Sequence, residues 1–154
     1  MARPFFAFVK YNTDMNTSFW ARLHGGSTHF PIGLLIASFL FDFVAYFARR
    51  DPLTRDLHAA AFYSLLLAAL ASSAAVFTGL MLTHWQVGGS GNLAKHHLFL
   101  WPAFALLVAL AVWRLIVQGR ASRIAFGIYL AVAAIASVFI AIAGYWGGEM
   151  LLKG

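Results

Sequence analysis

The chain has 154 residues, 62% of them hydrophobic and 10% charged, with a mean hydropathy of +0.78. That balance excludes a water-soluble enzyme and a disordered chain. The absence of cysteine excludes disulfides, thiolate metal sites, iron–sulfur ligation and c-type haem attachment by this chain.

The first 28 residues open on Met1-Ala2-Arg3-Pro4 and a short apolar run, Phe5 to Val9. Lys10, Asn12, Asp14 and Asn16 follow at once, so the run is too short for a signal peptide. It reads as an interfacial segment lying on the membrane or on a partner. Residues 29–154 then read as one four-helix transmembrane domain, because four apolar stretches reach the roughly 20 residues that a bilayer-crossing helix needs. They cover about 30–48, 57–82, 97–119 and 124–148. The connections are short, which predicts an all-α, antiparallel bundle of sequential topology. No second domain or tandem repeat is visible.

Small residues recur at helical spacing on two spans. They are Ser64, Ala68, Ser72, Ala75 and Gly79 on the second, and Ala134, Ser137, Ala141, Gly144 and Gly148 on the fourth. Each set predicts a face for close helix packing. Asp42 lies inside the first span near Arg49 and Arg50, where a carboxylate is costly. Pairing with an arginine near the interface, or with a serine on the second span, is the simplest account, and a proton relay is the other.

The formal charge of +6 does not point to nucleic acid, because the arginines stand where membrane proteins place them. Arg49, Arg50 and Arg55 follow the first span, and Arg114, Arg120 and Arg123 end or follow the third. By the positive-inside rule this end is cytoplasmic, and both termini lie outside a bacterial inner membrane.

Five of the six histidines belong to the opposite end. His24 and His29 precede the first span, His84 follows the second, and His96 and His97 open the third. Only His58 belongs to the arginine end. Trp20, Trp85, Trp101 and Trp146 share the histidine end, as an aromatic belt would. Imidazoles gathered at one bundle mouth suit one b-type haem with two axial histidines. They also suit zinc or copper held by three or four histidines, or a quinone headgroup hydrogen-bonded by histidine. Spans one and three are diagonal in a sequential bundle, so His29 and His97 are the expected axial ligands. Adjacent helical residues differ by about 100°, so His96 and His97 are not expected to point inward together. His24, His84 and His96 are then propionate partners or alternative ligands, and Arg22 and Lys95 are available to pair with propionates.

Several of these residues form a familiar pattern. The segment His24-Gly25-Gly26-Ser27-Thr28-His29-Phe30-Pro31 resembles the opening of the bacterial four-span membrane domain DUF2231. Asp42, Thr78-Gly79-Leu80, His97 and Gly147-Gly148-Glu149 match that family's later motifs, so the resemblance covers about residues 24–154. It departs at Thr83-His84-Trp85, where the family often carries an acid and a tryptophan. Some relatives are joined to Rieske-type or cytochrome c-like domains, which implies redox partners.

The function expected is therefore a non-catalytic electron-transfer subunit of a larger oxidoreductase. It passes electrons between a quinol or membrane partner and a periplasmic redox protein. The alternatives are a cofactor-free accessory subunit of a larger membrane complex and a histidine-liganded metal-binding membrane protein.

Overall fold

Long apolar runs fold as helices in lipid because only there does each backbone N–H and C=O find a partner within its own segment. A computed structural model describes the backbone of residues 5–48 and 51–153 and the side chains of 19–48 and 52–150. Four helices make up the fold: α1 (Phe5–Phe47), α2 (Asp51–Leu82), α3 (Gly91–Val117) and α4 (Arg123–Lys153). Each contains a stretch long and apolar enough to cross a membrane: Phe19–Phe47, Pro52–Leu82, Gly91–Val117 and Arg123–Met150. Among the described residues there is no strand.

The first span differs from its expected start. The apolar run predicts a span that begins at about Phe30. Instead α1 runs unbroken through Pro31 from Phe5. Membrane helices tolerate an interior proline where neighbouring helices satisfy the freed carbonyl. His24 and His29 therefore stand inside one helix, five residues apart and about 140° around it. Side chains of residues 1–18, and those of Arg49 and Arg50, lie outside the described residues.

The bundle is two hairpins. α1 packs closely on α2, and α3 on α4. The hairpins meet along α1–α4 and α2–α3, which leaves α1 diagonal to α3. Their inward positions repeat. A step of seventy-two residues carries His24, Pro31, Leu35, Ser38 and Asp42 of α1 onto His96, Ala103, Leu107, Leu110 and Arg114 of α3. A step of sixty-eight carries Ala61, Leu65, Ala68, Ser72, Ala75 and Gly79 of α2 onto Tyr129, Ala133, Ala136, Ile140, Ala143 and Gly147 of α4. The hairpins are thus pseudo-equivalent about the bundle axis, although the letters at paired positions mostly differ. Spacings of four and three alternate along these stripes, the period that keeps a seam in contact through a left-handed crossing.

Alanine at 61, 68, 103 and 136 is fully buried, so backbones approach closely. On α2 the small-residue face is the expected one. On α4 it is turned by one residue: Ala133, Ala136, Ala143 and Gly147 face inward, while Ala141 is exposed. Large apolar side chains face outward instead, among them Phe30, Leu70, Ile116 and Ile124. A surface of that kind is a liability in water and the required one in lipid.

Candidate functional site

Two polar layers interrupt the apolar bundle, one near each end. Eighteen residues separate His24 from Asp42, and eighteen separate His96 from Arg114. Eighteen residues are five full helical turns, so each pair shares one face of its helix. At 1.5 Å per residue the layers lie about 27 Å apart, close to the hydrocarbon thickness of a bilayer.

At the histidine end, His24 and His96 meet across the axis with ring centroids 6.5 Å apart and planes at 84°. Each imidazole is seated by its own hairpin. His24 Nδ1 donates to the Ala75 carbonyl at 3.0 Å, with Thr78 Oγ1 at 3.2 Å. His96 Nδ1 donates to the Ala143 carbonyl at 2.7 Å. Four residues beyond each of these alanines comes a glycine, and there the ring lies. A Cβ on Gly79 would stand 2.9 Å from His24 Cε1, and one on Gly147 would stand 3.4 Å from His96 Nδ1. An Ala-x-x-x-Gly pair on α2, repeated on α4, thus supplies both the acceptor and the space. Because a carbonyl only accepts, the hydrogen sits on Nδ1, and Nε2 keeps the lone pair on each neutral ring.

His97, the expected inward histidine of α3, is buried as well as His96. It and His96 leave the axis in different directions. His97 Nδ1 donates to the Gly88 carbonyl, and its ring leans on Trp101. Trp101 Nε1 donates to the Val87 carbonyl at 3.0 Å. These two side chains pin the α2–α3 connection over the bundle end, and that connection is what covers His97.

The remaining sequence candidates stand away from this pair. His29 is exposed on the outer side of α1, so His24, not His29, is the α1 histidine at the axis. His84 is exposed in the α2–α3 turn, at a left-handed φ of 52°. Arg22 is exposed on α1. Lys95 is exposed, with its ammonium 4.2 Å over the Trp146 ring. Among the described residues no three His, Asp or Glu side chains are placed to share a metal ion.

The arginine end holds a second constellation, with one residue from each helix. The Asp42 carboxylate is fully buried. His58 Nδ1 donates to Oδ1 at 2.7 Å, and the Tyr129 hydroxyl donates to Oδ2 at 3.0 Å. Arg114 Nη1 stands 3.1 Å from Oδ2, and its Nη2 donates to the His58 carbonyl at 3.1 Å. The guanidinium also lies over the rings of Phe126 and Tyr129. Asp42 does pair with an arginine near the interface, as its position suggested. That arginine comes from α3, seventy-two residues along the chain, and a histidine and a tyrosine join it.

A family model described as a predicted membrane protein, DUF2231, matches residues 21–153. The chain belongs to that family. No curated protein and no solved structure matches it. Four spans and membership of DUF2231 make it a multi-pass membrane protein embedded in a lipid bilayer. The segment from His24 to Pro31 contributes its first histidine to the axis and its second to the outer surface.

His58, Arg114 and Tyr129 do not stand out in the sequence as partners of Asp42. A signal was present. Asp42 and Arg114 are the intramembrane charges of their spans, each five turns from a histidine on the same face.

Proposed function

We propose that this DUF2231 chain is a membrane-embedded electron-transfer subunit holding one b-type haem between its hairpins, with His24 and His96 as axial ligands. The carrying observation is the pair of carbonyl-seated imidazoles that meet across the axis at 6.5 Å. His24 and His96 would hold the iron through the Nε2 lone pairs that their carbonyl-bound Nδ1–H groups leave available. When bound, such a haem supplies reversible one-electron chemistry.

The chain's own residues do the rest. The Ala75 and Ala143 carbonyls fix the tautomer and raise the basicity of Nε2. Gly79 and Gly147 admit the rings. Lys95 and Arg22, on the same end, offer cationic partners for propionates. In this proposal the histidine end faces the periplasm of a bacterial inner membrane. The arginine connections face the cytoplasm, and electrons pass between membrane subunits and a cytochrome c-like or Rieske-type protein.

A second reading is favoured by the closeness of His24 to Gly79. In it the imidazoles are clamps within each hairpin, and the chain is a cofactor-free accessory subunit. A visible spectrum of protein purified from haem-replete cells decides. The haem reading requires a Soret band and sharp reduced α and β bands, lost in His24→Ala and in His96→Ala. Their absence from the unsubstituted protein overturns it.

A further inference from the structure

Beside the Asp42 constellation lies a cavity of about 620 Å³, inside the range of small-molecule sites. Its walls include Tyr46, Phe62, Trp113 and Phe126, with His58 and Arg114 of that constellation, Gln118 and Arg123 as polar side chains. Three features define what it would hold.

The first is the histidine. Nδ1 of His58 is committed to Asp42, so Nε2 is the ring nitrogen left to the cavity. A carboxylate behind an imidazole fixes the tautomer and makes that nitrogen a better acceptor from a hydroxyl. The second is the charge. Arg114, the cation beside His58, is already matched by Asp42 and by the His58 carbonyl, and Arg123, the other cation of the wall, lies 4.9 Å over the Tyr46 ring. The third is the aromatic wall. Phe126 stands edge-on to His58 at 5.0 Å, and Trp113 stacks on Tyr129 at 5.1 Å. Flat walls of this kind favour a flat ring.

We infer that this cavity binds the ring of a lipid-soluble hydroxyaromatic of the quinol class, whose hydroxyl donates to Nε2 of His58. The ring stacks among Phe62, Trp113 and Phe126, and its alkyl or isoprenoid tail leaves into the bilayer. This is a binding site with no electron step assigned to it. It lies about five helical turns from His24 and His96, so it stands whether or not a haem binds there.

The test uses the full chain in lipid nanodiscs and a fluorescent alkyl-hydroxyquinoline N-oxide, whose emission is quenched on binding. Saturable quenching is expected, and it is reversed by an alkylated benzoquinol but not by an alkylbenzene with the same tail. His58→Gln should weaken binding at least tenfold. So should Ala59→Trp, which fills the cavity and removes no group of the Asp42 constellation. His24→Ala should leave binding unchanged. Helical circular dichroism and thermal melting identify which variants are folded. Quenching that does not saturate, or that survives both cavity variants in folded protein, overturns the proposal.

Discussion

Arg114 on α3 reaches across the bundle axis to Asp42 on α1, with Nη1 3.1 Å from Oδ2 of a carboxylate that has no solvent exposure. The two occupy equivalent positions of the two hairpins with opposite charge. A buried pair of this kind adds little over an apolar isostere, but losing one partner strands the other.

Asp42→Asn should therefore be strongly destabilising, by about 3–5 kcal/mol. That corresponds to a melting temperature lower by on the order of 10 °C for a chain of this size. Asp42→Leu combined with Arg114→Leu should recover part of the loss, because it removes the stranded charge but leaves the Tyr129 hydroxyl and His58 without their acceptor. Thermal unfolding in one detergent, followed by circular dichroism, compares the three. A single variant no less stable than its double partner would contradict the assignment.

Tyr129→Phe removes one hydrogen bond to the same carboxylate and keeps the stack on Trp113. A hydrogen bond to a charged group contributes about 1.5–3 kcal/mol. The expected loss is thus smaller than for Asp42→Asn, and it should shrink when Asp42 is already asparagine. A double-mutant cycle on melting data measures that coupling.

The glycines at the histidine end should grade by contact. Gly79→Ala puts a Cβ 2.9 Å from the His24 ring and must displace it, whereas Gly147→Ala meets His96 at 3.4 Å. Gly33→Ala has nothing within 4 Å and should be neutral, or stabilising by about 0.5–1 kcal/mol. Unfolding temperatures should follow the order Gly33→Ala, Gly147→Ala, Gly79→Ala from most to least stable. Equal values for the last two would show that the His24 seat is not tight.

Among the histidines, the haem reading assigns the axial roles unequally. His29→Ala and His84→Ala should leave any Soret and α bands in place, because both side chains are exposed. His97→Ala should loosen the α2–α3 connection that it holds through Gly88 and leave the bands present. Limited proteolysis of that connection and absorption spectra together separate the three. Band loss in His29→Ala alone would move the ligand to the surface position.

How much was legible in advance differs between the two ends. Apolar run length alone marked the four spans, because bilayer thickness fixes helix length whatever the sequence. The gathering of histidines followed from antiparallel order. The apolar run begins at His29 and so favours it over His24, but α1 continues back to Phe5, which puts His24 at the axis and His29 on the outer side. Arg114 was legible only as a loop-flanking cation. Its partner lies on a diagonal helix, and no local pattern reports which faces of α1 and α3 meet. The eighteen-residue interval in both helices is the one sequence feature that would have joined them.

The absence of cysteine offers a direct check on topology. Single cysteines placed at Gly88 and at Gly119, in the connections at opposite ends, should react with an impermeant maleimide from opposite faces of intact membranes. Labelling of both from one face would exclude an antiparallel bundle.

The opposite charges at matched positions also govern assembly. If the chain is expressed as two separate halves, a pair of N-terminal halves would bring two Asp42 carboxylates together, and a pair of C-terminal halves would oppose two Arg114 guanidiniums. Either self-pairing confines like charge in hydrocarbon, and only the mixed pair neutralises it. The fragments should therefore sort into heterodimers, and reversing both charges together should preserve that sorting while reversing one should abolish it.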